Sequence, residues 1–451
     1  ISVQAQNWFA LGDGSGTNNE VMCLAGFQGK LVAGGRFLQA GGQPVYRIAQ
    51  WDGTSWSAMG TGFDAEVRAL AVFNDELYAG GIFHADGTGT ASYPAIAKWN
   101  GTAWSAVPGP QPENTDFRDL YVMDGALYAT VHTYDALNQF TVRVSRFDGT
   151  SWTNLPGEFS GPENYRYLYA LGEYQGSLVA GGLFDSVAGQ KAHRVALFDG
   201  TQWSGLDFPV GGETPSGILE GSVRAIREFD GNLFLGGIFK DFQDTIAGTG
   251  VASYDGTGWT AYPFILNDGN IVYDFEVLDG RLIASGELGF LIGSQIVMGC
   301  AMFDPSATPP WQNLNFQNSA VPAPKGADMA LFDGDLYIGG NFSHAGTSAS
   351  PVHNVARFDG MLPTGVPGAA GKEDFSIRPN PVADLLGVTV SGTVGKEQFQ
   401  YTIYDLAGRP LLRGVLSDRM IDVHNLAPGS YILQLSDGER IMRKPFVKAC
   451  R

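Results

Sequence analysis

The chain has 451 residues, long enough for two or more domains, with 62 glycines and 12% aromatic residues. This mixture suits many short strands joined by tight turns rather than helices or disorder. The formal charge is −18; from Lys372 onward there are 11 basic and 9 acidic residues, net +2, so the rest carries net −20. Such an acidic first part argues against nucleic acid, whose affinity comes from Lys and Arg on phosphates, and against an anionic membrane surface. The longest apolar runs are strand-length, so no segment is expected to span a membrane.

Residues 1–6, Ile-Ser-Val-Gln-Ala-Gln, read as an N-terminal tail or the remnant of a signal peptide, with Ala5 as the small residue near a cleavage point. From Asn7 to Gly360 one unit recurs: apolar strand, Gly-Gly doublet, aromatic, loop, apolar strand, Asp-Gly-Thr turn, Trp. Its second copy shows the pattern most fully, in Leu77-Tyr-Ala-Gly-Gly-Ile-Phe83 and Ile96-Ala-Lys-Trp-Asn-Gly-Thr-Ala-Trp104. The closing tryptophans are Trp8, Trp56, Trp104, Trp152, Trp203, Trp259 and Trp311, at spacings of 48, 48, 48, 51, 56 and 52. A period of this size with four strand-like segments per unit predicts a β-propeller. Seven Trp predict seven blades. The seventh copy, Leu336 to Gly360, stops before its Trp, so the N-terminal strand around Trp8 is expected to complete that blade and close the ring. The repeated Trp is expected to be blade core, because burial is the dominant use of a repeated large aromatic.

The Gly-Gly doublet, aromatic and spaced Trp resemble the kelch family over residues 7–360. The unit departs from that pattern where Ala129-Thr130 and Ser285-Gly286 replace Gly-Gly, so the third and sixth blades are expected to be the least regular. The Asp-box of sialidases matches less well. Asp52 to Trp56 is four residues. The loops between second and third strands and between blades vary in length, which makes their face the expected place for recognition of a surface glycan or protein.

Residues 361–374, rich in Pro, Gly and Ala, read as a linker. About seven short alternating strands then fill residues 375–451, predicting a small Ig-like β-sandwich. Pro379-Asn380-Pro381, Tyr404-Asp405-Leu-Ala-Gly408-Arg409, Pro428-Gly429-Ser-Tyr431 and the basic, aromatic end with Lys444, Phe446 and Lys448 closely resemble the type A C-terminal sorting domain of the type 9 secretion system of Bacteroidetes. The resemblance implies a secreted or outer-membrane cell-surface location. It implies as partners the translocon, shuttle and sortase components of that system. The ending Ala449-Cys450-Arg451 extends past the usual Lys end.

No cofactor and no metal site is expected: no Cys/His spacing resembles zinc ligation and no calcium-loop spacing occurs. The histidines His84, His193, His344 and His353 fall in or beside loops of the second, fourth and seventh units. Asp119 and Asp274 lie near inner strands, where propeller glycosidases place two carboxylates across a central opening. Arg68, Arg118 and Arg224 share that register, so lining the channel or pairing locally is the expected role. With no catalytic set in view, the expectation is an exported, non-enzymatic propeller that binds carbohydrate or protein. The alternatives are a structural subunit of a surface or secretion-associated assembly, and a propeller-type hydrolase or lyase. The last requires an acidic or His cluster in the central opening.

Overall fold

The second repeat folds as a four-stranded antiparallel sheet of Val67–Phe73, Glu76–Gly81, Ile96–Trp99 and Trp104–Ala106, each strand paired with the next in sequence. The computed structural model describes residues 7–107, 115–134, 140–161, 166–209, 221–238, 241–242, 246–247, 250–262, 271–292, 295–305, 307, 310–314, 316, 325–345, 352–359, 375–378, 382, 385–390, 399–404, 410–416, 420–427, 429–436 and 441–448. Among these residues, no helix occurs. Ile1–Gly365 forms one unit and Val366–Arg451 a second.

Among the described residues, the first unit holds seven such four-stranded sheets. Their innermost strands are Val21–Phe27, Val67–Phe73, Thr115–Met123, Tyr167–Tyr174, Ser222–Phe229, Ile271–Leu278 and Lys325–Phe332. Each innermost strand lies against that of the next sheet, and Lys325–Phe332 lies against Val21–Phe27. The arrangement is propeller-like. In the last sheet the outermost strand is Asn7–Ala10, paired antiparallel with Val355–Asp359 so that Trp8 faces Phe358.

The first glycine of a doublet is crowded by the next sheet and the second by the chain entering its own sheet's inner strand. A Cβ on Gly80 would meet Phe117 of the next sheet at 2.9 Å, and one on Gly81 would meet the Glu66 carbonyl oxygen at 2.0 Å. The third sheet has Ala129-Thr130 there, and the Thr130 hydroxyl accepts the Asp119 amide at 2.9 Å. The third and sixth sheets also carry the longest second strands, Ala126–Tyr134 and Arg281–Ile292, and the latter has a second irregularity between Ser285 and Gly289. The inner hairpins turn on left-handed residues, Asn74 and Asp75 at φ of 51° and 59°, Gln-Gly at Gln28 and Gln175, and Asp-Gly elsewhere, as at Asp124 and Gly125. Such turns match the twist of the paired strands.

The core of the first unit lies between neighbouring sheets. Every closing Trp stands opposite an aromatic of the adjoining strand: Trp56 opposite Trp51, Trp152 opposite Phe147, Trp203 opposite Phe198 and Trp311 opposite Phe303. The second unit has a sheet of Phe375–Arg378, Leu385–Val390 and Met420–Asp422, and another ordered Pro410–Val415, Gln400–Tyr404, Gly429–Ser436, Ile441–Lys448. The two sheets contribute to one buried apolar cluster that includes Leu386, Val388, Ile403, Ile421, Leu433 and Phe446.

Candidate functional site in the central cavity

One irregularity recurs in all seven sheets. Pairing between the first and second strands slips at the same place, leaving an extra residue on the inner strand. Such a bulge re-aims side chains. The re-aimed residues are Met22, Arg68, Arg118, Tyr169, Arg224, Tyr273 and Ala327. The next residue around the ring is Cys23, Ala69, Asp119, Ala170, Ala225, Asp274 and Asp328. Both layers line a central cavity of about 270 Å³.

Three carboxyls thus converge where four sheets have only Cys or Ala. Each accepts a backbone amide from the following sheet: Asp119 Oδ2 from Leu171 at 2.6 Å, Asp274 Oδ2 from Met329 at 2.8 Å and Asp328 Oδ2 from Leu24 at 2.6 Å. Asp119 is doubly tied, since its Oδ1 takes the Leu120 amide at 2.8 Å. Asp274 is also bonded by the Phe275 amide, and its charge bears on Asp328.

Their ionisation follows from this setting. Dense protein surrounds all three carboxyls although each touches the cavity. Desolvation pushes Asp119 up to about 6, against the lowering pull of the Leu171 and Leu120 amides. Desolvation raises Asp274 strongly, with the Glu276 charge adding to it, and raises Asp328 further, with the Asp274 charge adding to it. The Asp274 charge thus favours the protonated form of Asp328.

The rim on the side of the Arg layer is a chain of ion pairs. Arg36 meets Glu20 at 3.2 Å and Glu66 at 2.9 Å; Arg68 meets Glu66 at 2.8 Å and Asp116 at 2.6 Å; Arg118 meets Asp116 at 2.9 Å. The chain ends on aromatics, with Arg118 at 5.1 Å from the Tyr167 ring centroid and Arg224 at 4.4 Å from that of Tyr169.

The structure brings together Asp119, Asp274, Arg68, Arg118 and Arg224, which the sequence placed in one register, and adds Asp328. All three arginines line the cavity, and Arg68 and Arg118 also pair locally. Among the described residues, Arg224 has no carboxylate partner; its Nε donates to Ser222 Oγ at 3.2 Å. Histidines stay apart. His84 and His424 are exposed, and His132 is buried with its Nε2 between the carbonyl and amide of Leu168. Cys23 and Cys300 are buried free thiols. Among the described residues, no His/Cys/Asp/Glu group is arranged to hold a metal ion.

Of the tryptophans, Trp8, Trp56, Trp152, Trp203 and Trp311 are buried, while Trp104 and Trp259 are half-buried and donate from Nε1 to the Met59 and Leu206 carbonyls. In the second unit Tyr431 is buried, stacks on Phe446 at 5.6 Å and donates its hydroxyl to the Ala427 carbonyl at 2.7 Å. Lys448 is buried, Lys444 half-buried and Gly429 exposed. Tyr404 lies in a strand. Pro379, Asn380, Pro381, Asp405, Gly408, Arg409, Pro428 and Cys450 lie outside the described residues, as do the tail 1–6 and the stretch 361–374.

Residues 376–449 match the model of the secretion system C-terminal sorting domain. This segment is a type 9 sorting domain. The chain is therefore exported cargo of that system, destined for the cell surface or beyond, and its second unit engages the secretion machinery. Among the described residues, no helix is long and apolar enough to cross a membrane. Among characterised proteins, β-agarase D of Zobellia galactanivorans is 28% identical over 145 residues, 30% of this chain and 28% of that enzyme. Among solved structures, the extracellular domain of a protein described as a hybrid two-component system of B. thetaiotaomicron superposes over 99% of this chain and 58% of its own, with a TM-score of 0.50 and 11% identity. The Trypanosoma rangeli sialidase covers 95% of this chain and 84% of its own, with a TM-score of 0.37 and 10% identity. The chain thus spans less than two thirds of the agarase and of the two-component protein, and the likeness to the latter is one of fold.

The expectation of a non-enzymatic propeller is overturned here. The matched relative is an enzyme, and the cavity holds the converging carboxyls whose absence was the ground for that expectation. The cause is spacing: the three Asp sit one per repeat and meet only when the ring closes.

Proposed function

We propose that the chain is an exported carbohydrate-active enzyme that cleaves glycosidic bonds in the central cavity, with Asp274 and Asp328 as the reacting carboxyls. The observation that carries this is the convergence of Asp274 and Asp328, both raised by desolvation, on one polar central cavity. Glycosidic cleavage needs one group to protonate the leaving oxygen and another, ionised, to act as nucleophile or to activate water. A coupled pair supplies both forms over one pH range. Asp119, with both oxygens held by amides, is a positioning residue that ties the third sheet to the fourth. The partial match to a β-agarase supports a polysaccharide substrate.

In this reading residues 7–360 are a seven-bladed, kelch-like β-propeller closed by the N-terminal strand, with the seven closing tryptophans as blade core. Residues 375–451 are an Ig-like sandwich, with 361–374 as the stretch between them. The variable loop face guides the glycan toward the cavity, and the sorting domain is removed by the sortase after export. The test is release of reducing ends from a panel of neutral and acidic polysaccharides by the purified protein, against Asp274→Asn and Asp328→Asn. Cleavage lost in both variants supports the reading. Cleavage that survives both refutes the assignment of these residues.

A further inference from the structure

The cavity holds a second constellation beside the carboxyls. Arg68, Arg118, Arg224 and Arg227 line it, although the first part of the chain is strongly acidic. Three of them are neutralised where they stand: Arg68 by Glu66 and Asp116, Arg118 by Asp116, and Arg227 by Glu276 at 2.8 Å. Arg224 is not. Its guanidinium lies between two rings, 4.4 Å from the centroid of Tyr169 and 5.5 Å from that of Tyr273. Its Nε is used on Ser222 Oγ, and Tyr273 is itself anchored by donating to Glu287 Oε1 at 2.9 Å. The terminal nitrogens have no acceptor among the described residues. A guanidinium fixed by stacking, with a free fork of donors, is organised for bidentate contact with a planar or tetrahedral anion. An unpaired cation in a confined cavity is costly unless a ligand neutralises it.

We propose that Arg224 is an anion receptor and that the saccharide taken into the cavity carries a carboxylate or sulfate ester, gripped by the Arg224 fork between Tyr169 and Tyr273. The proposal rests on the reading of the cavity as a glycan site. It deepens that reading by naming the substrate class. Tyr273 and Asp274 are consecutive residues of one strand, so an anionic group held at Arg224 sets the sugar that bears it beside the reacting carboxyls. The aromatic faces of Tyr167 and Tyr169, stacked 5.8 Å apart, continue from this point toward the rim and suit the apolar face of a sugar ring.

The test is calorimetric titration of the full chain carrying Asp328→Asn, which prevents turnover, with three probes: an oligogalacturonate, a sulfated galactan oligosaccharide and a neutral galactan oligosaccharide of equal length. At least one charged probe is expected to bind tenfold or more tighter than the neutral one. Adding Arg224→Gln is expected to erase that margin, and Arg224→Lys to restore it only in part, since a point charge replaces the fork. Which charged probe binds distinguishes carboxylate from sulfate. Equal binding of charged and neutral probes, or a margin that survives Arg224→Gln in a protein with an unchanged melting curve, overturns the proposal. The two readings fail separately. If the wild type cleaves a neutral glycan and charge makes no difference, the receptor is wrong and the glycosidase stands. If charged probes bind through Arg224 and the wild type cleaves none of them, the receptor stands and the cleavage reading falls.

Discussion

The carboxyls of Asp274 and Asp328 come from neighbouring sheets of the ring, the charge of Asp274 raises Asp328, and each also holds a backbone amide of the following sheet. Asp328 makes that second contact to Leu24, across the junction between the last sheet and the first. The same side chains therefore bind the ring together and carry an unfavourable concentration of negative charge. Function and stability are set against each other at these positions, and they separate under mutation.

Asp274→Asn and Asp328→Asn are each expected to lower kcat about 10²- to 10⁴-fold, the range for loss of a general acid or base. Each is also expected to raise the melting temperature at neutral pH. An Asn oxygen still accepts the neighbouring amide, and the like charge is gone. Kinetics and thermal unfolding of the same preparations check both halves.

The pH dependence of that stabilisation has a definite sign. Asp119, Asp274 and Asp328 all have raised folded-state values, Asp119 at about 6, against about 3.9 for an unfolded Asp. As pH rises from about 4, the unfolded chain gives up these protons first, so the stability present at acid pH is lost as pH passes the folded values. Buried His132 has the opposite sign: its folded value is depressed by desolvation, and stability falls as pH drops below about 6.5. The difference between Asp328→Asn and wild type isolates the carboxyl part. It is expected to be larger at pH 8 than at pH 4, measured by chemical denaturation at both.

Asp119→Asn separates the tie from the chemistry. Asn has one oxygen where Asp119 uses two, so the Leu120 or Leu171 amide loses its acceptor, at about 1–3 kcal/mol. Stability is expected to fall, with kcat changed far less than in the other two Asp variants.

The near-constant spacing of seven tryptophans was legible in the sequence, and Trp8 is buried in the structure while Trp104 and Trp259 are half-buried. The glycine doublets were legible too, for a reason the structure makes concrete in Gly80 and Gly81. The carboxyl cluster was not. Asp119 and Asp274 stood out singly, and Asp328 did not stand out at all, since each repeat contributes at most one and the other repeats place Cys or Ala there. Superposing the seven copies on the residue that follows the bulge would have aligned the three. The sequence carries that signal, but only after the strand register is known.

The ring's closure predicts its own weak point. Trp8 packs against Phe316 at 4.7 Å and Phe358 at 4.9 Å, and its Nε1 donates to the Leu314 carbonyl at 2.9 Å. Trp8→Ala is expected to cost about 3–5 kcal/mol, seen as a lowered denaturation midpoint. Gly81→Ala, whose Cβ would meet a main-chain oxygen at 2.0 Å, is expected to destabilise strongly, while Gly258→Ala, with nothing within 4 Å, is close to neutral.

The most direct measurement is reducing-end release from neutral, uronate-bearing and sulfated polysaccharides by the wild-type protein beside Asp328→Asn at equal concentration. Cleavage of at least one of them by the wild type, reduced a hundredfold or more in the variant while the variant remains folded, is the predicted result. Wild-type and variant rates that coincide on every substrate cleaved would contradict the placement of the active site in the central cavity.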